Sequence, residues 1–173
     1  MPTNPVPLAT TGEQTGVQKT PVAAVRKKPE NGQNMLVALK AFAPGDVFQA
    51  FTAGAILHTP TYLTVQTGTS EHITLQPEFL QYINHSCKPN VFFDTTAMQI
   101  TVLRPLEPGD EVTFFYPSTE WDMTQTFNCN CGEACCIGEI KGAAWLPDSI
   151  IKQYRFTDYI KQQLQKRLHE ARA

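Results

Sequence analysis

Apolar residues in this chain come in short bursts separated by turn formers. Met35-Leu36-Val37-Ala38-Leu39 and Val47-Phe48-Gln49-Ala50-Phe51 flank the turn Ala43-Pro44-Gly45-Asp46. That arrangement predicts a hairpin over 35–51. Tyr62 to Gln66 alternates apolar and polar, and His72-Ile73-Thr74-Leu75 is a further short strand. Pro77 to Ile83 predicts one or two helical turns, with Pro77 at the start and Phe79, Leu80 and Ile83 on one side. Val91-Phe92-Phe93-Asp94 and Met98 to Leu103 read as strands joined by a Thr-rich turn. After the turn Pro105 to Asp110, Glu111 to Tyr116 reads as another strand, ended by Pro117. No internal repeat is evident. The C-terminal stretch changes period. Ile150, Ile151, Tyr154, Tyr159, Ile160, Leu164 and Leu168 suit an amphipathic helix, broken near Phe156-Thr157-Asp158 and placed to cover a face of the sheet. The predicted fold class is therefore mostly β with short helices and a C-terminal α-helix.

Composition narrows the function classes. The chain has 173 residues, 42% of them hydrophobic and 17% charged, enough for one core. A formal net charge of −2 gives no nucleic-acid footprint. No apolar run is long enough to span a membrane, and the first twenty residues lack the pattern of a secretory signal. Residues 1–30 are rich in Pro, Thr, Gln and Gly and are expected to form a disordered tail, with Arg26-Lys27-Lys28 as a solvated basic cluster. A cytoplasmic or nuclear location follows as the expectation.

The cysteines carry the first chemical signal. None of the five precedes Cys87, and Cys129, Cys131, Cys135 and Cys136 fall within eight positions. In a chain without a secretory signal such crowding points to metal before disulfide. Cys129, Cys131 and Cys136 can wrap one side of a zinc ion, and Cys87 can close the tetrahedron. Cys135 is surplus, and spacing alone leaves open that it replaces Cys136. Free thiols and disulfides are the alternatives.

Asn84-His85-Ser86-Cys87-Lys88-Pro89-Asn90, then Gly109-Asp110-Glu111-Val112-Thr113-Phe114-Phe115-Tyr116, then Cys129-x-Cys131-Gly132 to Cys136-x-Gly138 resemble, in that order and spacing, the SET domain and its post-SET zinc loop. The resemblance covers about residues 34–141. Tyr116-Pro117-Ser118-Thr119-Glu120-Trp121-Asp122-Met123 is similar to small stand-alone members. It implies a SET-domain β-fold with a pseudoknot. The expected division is a tail over 1–30, the SET domain over 31–124, the post-SET loop over 125–141 and a helical extension over 142–173.

The activity so implied is S-adenosylmethionine-dependent methylation of a lysine ε-amine in a protein substrate, histone or otherwise. Tyr116 would be the catalytic phenol. Asn84, His85, Met35 and Phe127 would hold the cofactor, and Phe114 and Tyr82 would line the lysine channel. Cys87, Cys129, Cys131 and Cys136 would bind structural zinc. Glu120, Asp122 and Glu133 are candidates for an acidic groove, and Trp121 is either core or groove lining. The chain also departs from the family's pattern. Gln33 and Met35 stand where its cofactor loop has glycines, with Gly32 one residue out of register. Phe115 stands where Asp is frequent before the tyrosine, and Gln81 replaces a basic residue. These departures motivate two other readings: a SET-fold enzyme turned to a small-molecule substrate, and a catalytically silent module that binds a peptide or partner.

Overall fold

The computed structural model describes residues 20–171. The first strands are β1 (Ala23–Lys27) and β2 (Asn34–Ala38), an antiparallel pair in the register Ala23 to Ala38 through Lys27 to Asn34. This corrects the expected tail. Residues 1–19 lie outside the described residues, but Ala23 and Ala24 are buried against the core. The apolar run Pro21 to Val25, which leads into and starts this strand, is too short to register against the surrounding polar composition.

The predicted hairpin over 35–51 is also corrected. β3 (Val47–Ala50) does not pair with β2. β4 (Thr52–Leu57), β5 (Val65–Gly68) and β6 (Glu71–Gln76) form an antiparallel sheet in the order β4-β6-β5. β4 escapes sequence reading because it is an exposed edge strand without alternation; a Cβ on its Gly54 would sit 2.8 Å from the Thr74 hydroxyl. The strand predicted from Tyr62 starts only at Val65. Before it, Thr61 and Thr64 close a turn on each other through a backbone and two side-chain hydrogen bonds. A 3-10 turn over Glu78–Tyr82 follows, burying Phe79 and Leu80.

Next come β7 (Asn84–His85), β8 (Val91–Asp94), β9 (Gln99–Val102) and β10 (Thr113–Phe114). β3, β9 and β8 make the third sheet, with β9 in the centre. The β8–β9 turn is closed by Asp94, whose Oδ1 accepts from the amides of Thr96 and Ala97. β7 and β10 pair in parallel, Asn84 opposite Thr113 and His85 opposite Phe114. β11 (Phe127–Asn128) and β12 (Glu139–Ile140) brace the cysteine loop. α1 (Asp148–Ile151) and α2 (Asp158–Glu170) complete the chain, with Thr157 as N-cap of α2 accepting from the Ile160 amide. No helix among the described residues is long and apolar enough to cross a membrane.

Although no repeat is evident in the sequence, the structure places two like turns together. Leu39-Lys40-Ala41-Phe42-Ala43-Pro44-Gly45-Asp46 and Leu103-Arg104-Pro105-Leu106-Glu107-Pro108-Gly109-Asp110 share their leucine, basic and Pro-Gly-Asp positions. In each the aspartate Oδ2 accepts, at 2.8 Å, from the amide three residues earlier. Phe42 and Leu106 exchange backbone hydrogen bonds across the pair.

Two apolar clusters result. The larger is centred on Leu36, Phe93, Ile100, Leu106 and Val112, each fully buried. The smaller surrounds Phe115, which stacks on Tyr154 at 3.8 Å between ring centroids and takes in Ala143, Leu146, Phe156, Ile160 and Leu164. The C-terminal segment thus packs on Phe115. Burying such a phenylalanine contributes about 1.5–3 kcal/mol, which gives a physical role to the residue that departs from the family's pattern. Gly142 lets this segment approach. Its φ is +112°, and an added Cβ would lie 2.5 Å from the Trp121 carbonyl oxygen. Gly142→Ala is expected to lower the unfolding free energy by roughly 2–3 kcal/mol, measured by urea denaturation.

Candidate active site

Two cavities, of about 720 and 680 Å³, share Tyr116 and Phe127 in their walls. Tyr116 reaches this boundary because the chain ends β10 at Phe114 and turns into a 3-10 turn at Tyr116-Pro117-Ser118. Pro117 has no amide hydrogen to extend the strand, so the predicted strand from Glu111 to Tyr116 pairs only at Thr113 and Phe114. The Tyr116 hydroxyl donates to the Ile83 carbonyl at 3.4 Å. Its ring lies 4.7 Å from Phe114 and 5.9 Å, edge-on, from Phe127. Burial, reinforced by the negative charges of Glu111 and Glu120, pushes its pKa well up, so the phenol is neutral.

His85 joins Tyr116 to the cysteines. Its Nδ1 accepts the Tyr116 backbone N–H at 3.2 Å, and its Nε2 lies 3.4 Å from the Cys87 sulfur. An amide can only donate, so Nδ1 is unprotonated and Nε2 carries the hydrogen toward sulfur. Burial lowers the His85 pKa to about 4, which keeps the ring neutral in this tautomer.

Asn84 is a brace as well as a wall. Its amide donates to the Asn34 carbonyl at 3.0 Å and to Glu111 Oε1 at 2.9 Å, while Lys28 Nζ sits 2.8 Å from the same Glu111 oxygen. This network ties the β1–β2 hairpin to β7. The smaller cavity is lined by Lys28, Asn31, Gln33, Asn34, Asn84 and His85, among others. Lys28, expected in a solvated tail, thus lines the candidate site; the basic cluster is its one signal in the sequence. Met35 lines neither cavity. It sits inside β2 opposite Arg26, which corrects its assignment to the cofactor site. Tyr82 lines the smaller cavity, not the larger one that holds Phe114, which corrects its assignment to the same channel as Phe114. Gly32 has φ +70° with open space around its Cα, so the hairpin turn uses glycine one residue away from the position expected. Gln33 and Met35 leave the smaller cavity open.

Cys87, Cys129, Cys131 and Cys136 bring their sulfurs within 4.8 Å of one another. Tetrahedral zinc with bonds near 2.3 Å sets sulfur–sulfur edges of about 3.8 Å, and Cys87 to Cys129 is 3.8 Å. Four soft thiolate donors, with no carboxylate or imidazole among them, fit structural zinc. Cys135 is outside the cluster and points its thiol at the Cys87 carbonyl, 3.3 Å away. The Tyr154 hydroxyl donates to the same carbonyl at 2.6 Å. Of the acidic candidates, Glu120 and Asp122 line the larger cavity, while Glu133 faces Lys88 at 3.6 Å. Trp121 packs at the margin of the Phe115 cluster.

A sequence model described as the SET domain matches residues 27–117. The chain belongs to the SET domain family. Methyltransferase flvH of Aspergillus flavus is 44% identical over 128 residues, 73% of this chain and 70% of that protein. The H3 lysine-36 specific histone-lysine N-methyltransferase of Schizosaccharomyces pombe is 32% identical over 87 residues, 47% of this chain but 11% of that enzyme. A crystal structure of KRYPTONITE in complex with mCHH DNA, an H3(1–15) peptide and SAH matches with a TM-score of 0.50 and 18% identity, over 66% of this chain and 28% of that one. That likeness concerns the fold. This chain is thus a SET domain of a methyltransferase family whose relatives include histone-lysine enzymes.

The cysteine geometry makes an expectation for the metal. Cys135→Ser is expected to retain one zinc per chain, and Cys136→Ser to lose it, with zinc counted by atomic emission after dialysis.

Proposed function

We propose that this SET domain transfers a methyl group from S-adenosylmethionine to the ε-amine of a lysine in a protein substrate. One observation supports the reading most: a neutral tyrosine hydroxyl stands in the wall common to two cavities. Donor and acceptor of a methyl group can then approach from opposite sides and meet beside it. Both volumes fall in the range of about 300–1,000 Å³ typical of small-ligand sites.

The smaller cavity is assigned to the cofactor. Its wall includes Asn31, Gln33, Asn34, Asn84 and His85, and Lys28 with Glu111 holds that wall in place. S-adenosylmethionine, when bound, supplies an electrophilic methyl group on a sulfonium. The chain supplies position and dryness. Leu80, Ile83, Phe93 and Phe114 make the larger cavity apolar beside Tyr116, which favours the neutral, nucleophilic form of an amine. The Tyr116 hydroxyl orients that amine, and the Ile83 carbonyl orients the hydroxyl. His85 fixes the backbone of Tyr116 from the zinc side, so the phenol is placed by two separate anchors.

A second reading, methylation of a small-molecule amine, is favoured by the pattern of similarity. The histone-lysine relative matches 47% of this chain and 11% of itself, whereas flvH, named only as a methyltransferase, matches over 73% and 70%. A silent binding module is the third reading, and it has no specific observation in its favour.

Calorimetric titration of S-adenosylmethionine and S-adenosylhomocysteine into zinc-loaded protein is expected to give micromolar binding. No heat at millimolar cofactor from folded protein would end the methyltransferase reading. Tyr116→Phe is expected to lower turnover by roughly 10²–10⁴-fold with cofactor affinity little changed. Methyl incorporation into a lysine-peptide array, compared with a set of free amines, separates the first two readings.

A further inference from the structure

The larger cavity carries a feature that the methyl-transfer reading leaves unused. Its walls hold two carboxylates, Glu120 and Asp122, and no lysine, arginine or histidine. Asp122 is engaged, its Oδ1 accepting from the Trp145 indole N–H at 2.8 Å. Glu120 is held on one side only. Its Oε1 accepts the Gln66 backbone N–H at 2.9 Å and the Thr119 hydroxyl at 3.2 Å. Among the described residues its Oε2 has no hydrogen-bond partner. The backbone of Glu120 is fixed between the Tyr116 carbonyl, 3.1 Å from its amide, and the Ala143 amide, 2.8 Å from its carbonyl. Glu120 is therefore a rigid, half-satisfied carboxyl placed four residues from Tyr116 in the same cavity wall.

We propose that Glu120 is the specificity-determining counter-charge of this cavity, drawing a protonated primary amine in through its free oxygen before that amine reaches Tyr116. This rests on the assignment of the larger cavity to the amine substrate and adds what selects it. An apolar chamber alone disfavours a cation; an uncompensated carboxylate in its wall offsets that cost for the arriving ammonium, which passes its proton to solvent before the neutral amine reacts beside Tyr116. A neutral isostere of the amine lacks the attraction, so the chamber discriminates by charge rather than by shape.

The electrostatics agree with the geometry. Burial raises the Glu120 pKa to about 7, against the lowering effect of its two hydrogen bonds. The titratable groups facing it are Tyr116, Asp122 and Tyr62 in the cavity wall, and Tyr159, which approaches through a 3.3 Å hydrogen bond with Gln66. Among the described lining residues none is cationic, so no resident positive charge already holds Glu120 ionised. A bound ammonium does, and its affinity must rise as Glu120 loses its proton.

The test uses zinc-loaded protein without cofactor, so that its result stands apart from whether S-adenosylmethionine binds. n-Butylammonium, whose chain mimics the lysine side chain, and 1-butanol, its neutral isostere, are titrated by NMR. Wild type is expected to prefer n-butylammonium, with affinity rising about tenfold from pH 6 to pH 8 as a group of pKa near 7 ionises. Glu120→Gln keeps an acceptor for Gln66 and Thr119. It is expected to bind n-butylammonium at least fivefold more weakly with no pH dependence, and to bind 1-butanol as wild type does. Glu120→Asp is expected to restore part of the pH dependence. Equal affinity of wild type for the two probes, or an unchanged n-butylammonium profile in Glu120→Gln, overturns the proposal. The first comparison needs no variant, so it holds even if the substitution disturbs folding.

Discussion

The site depends on one short piece of parallel pairing. β7 and β10 contribute two residues each, and between them they carry Asn84, His85 and the approach to Tyr116. Two-residue strands have little stability of their own, and parallel pairing is the weaker kind. Side chains make up the difference. Asn90 binds the backbone at the start of β10, donating to the Glu111 carbonyl at 2.8 Å and accepting from the Thr113 amide at 2.8 Å. The Ser86 and Asn90 amides donate to the Phe114 and Thr113 carbonyls. Segments far apart in sequence are thereby stitched together by polar contacts in a half-buried place, where each such bond is worth more than at the surface.

The cysteine cluster extends that stitching. Cys87 lies two residues beyond His85, in the bend that follows β7, while its three companions belong to the loop after Phe127. Burial pushes the Cys87 thiol pKa upward, so a zinc ion held here would have to take the place of its proton. His85 then bridges two anchors of different kind, a backbone amide and a sulfur. Phe127, whose ring stands 5.7 Å from His85, brings the start of the cysteine loop onto the same surface. Wall, loop and phenol form one assembly, because each holds a group that the next one needs.

Much of this was legible in the sequence where chemistry and spacing coincide. The four cysteines gathered by the structure are those picked by their positions, and Cys135 is left out because its thiol turns to a carbonyl. The β8–β9 hairpin was legible because its apolar strands flank a turn that Asp94 can close. The helix break at Thr157 was legible because a capping residue interrupts the period. The strand β1 and the residue Lys28 were not, because composition over thirty residues hides a five-residue strand. The hairpin predicted over 35–51 failed because a Pro-Gly-Asp turn closes on its own aspartate whatever follows it. Here its partner is the like turn ending at Asp110. Met35 was misplaced because alignment on glycines assumes a fixed loop, whereas Gly32 turns the chain one residue earlier.

The alternation around Phe114, Phe115 and Tyr116 has a consequence for how this protein can vary. Phe114 and Tyr116 face the cavities, and Phe115 faces the C-terminal cluster. Two roles that look separate, lining the cavities on one side and anchoring the last thirty residues on the other, are written on one stretch in strict turn. Inserting or deleting a single residue there would exchange the two faces at once, turning the phenol into the second core and emptying the chamber of its aromatic wall. Side chains along this stretch can be exchanged for others, but its length cannot drift, so diversity of substrate must arise in the segments around it.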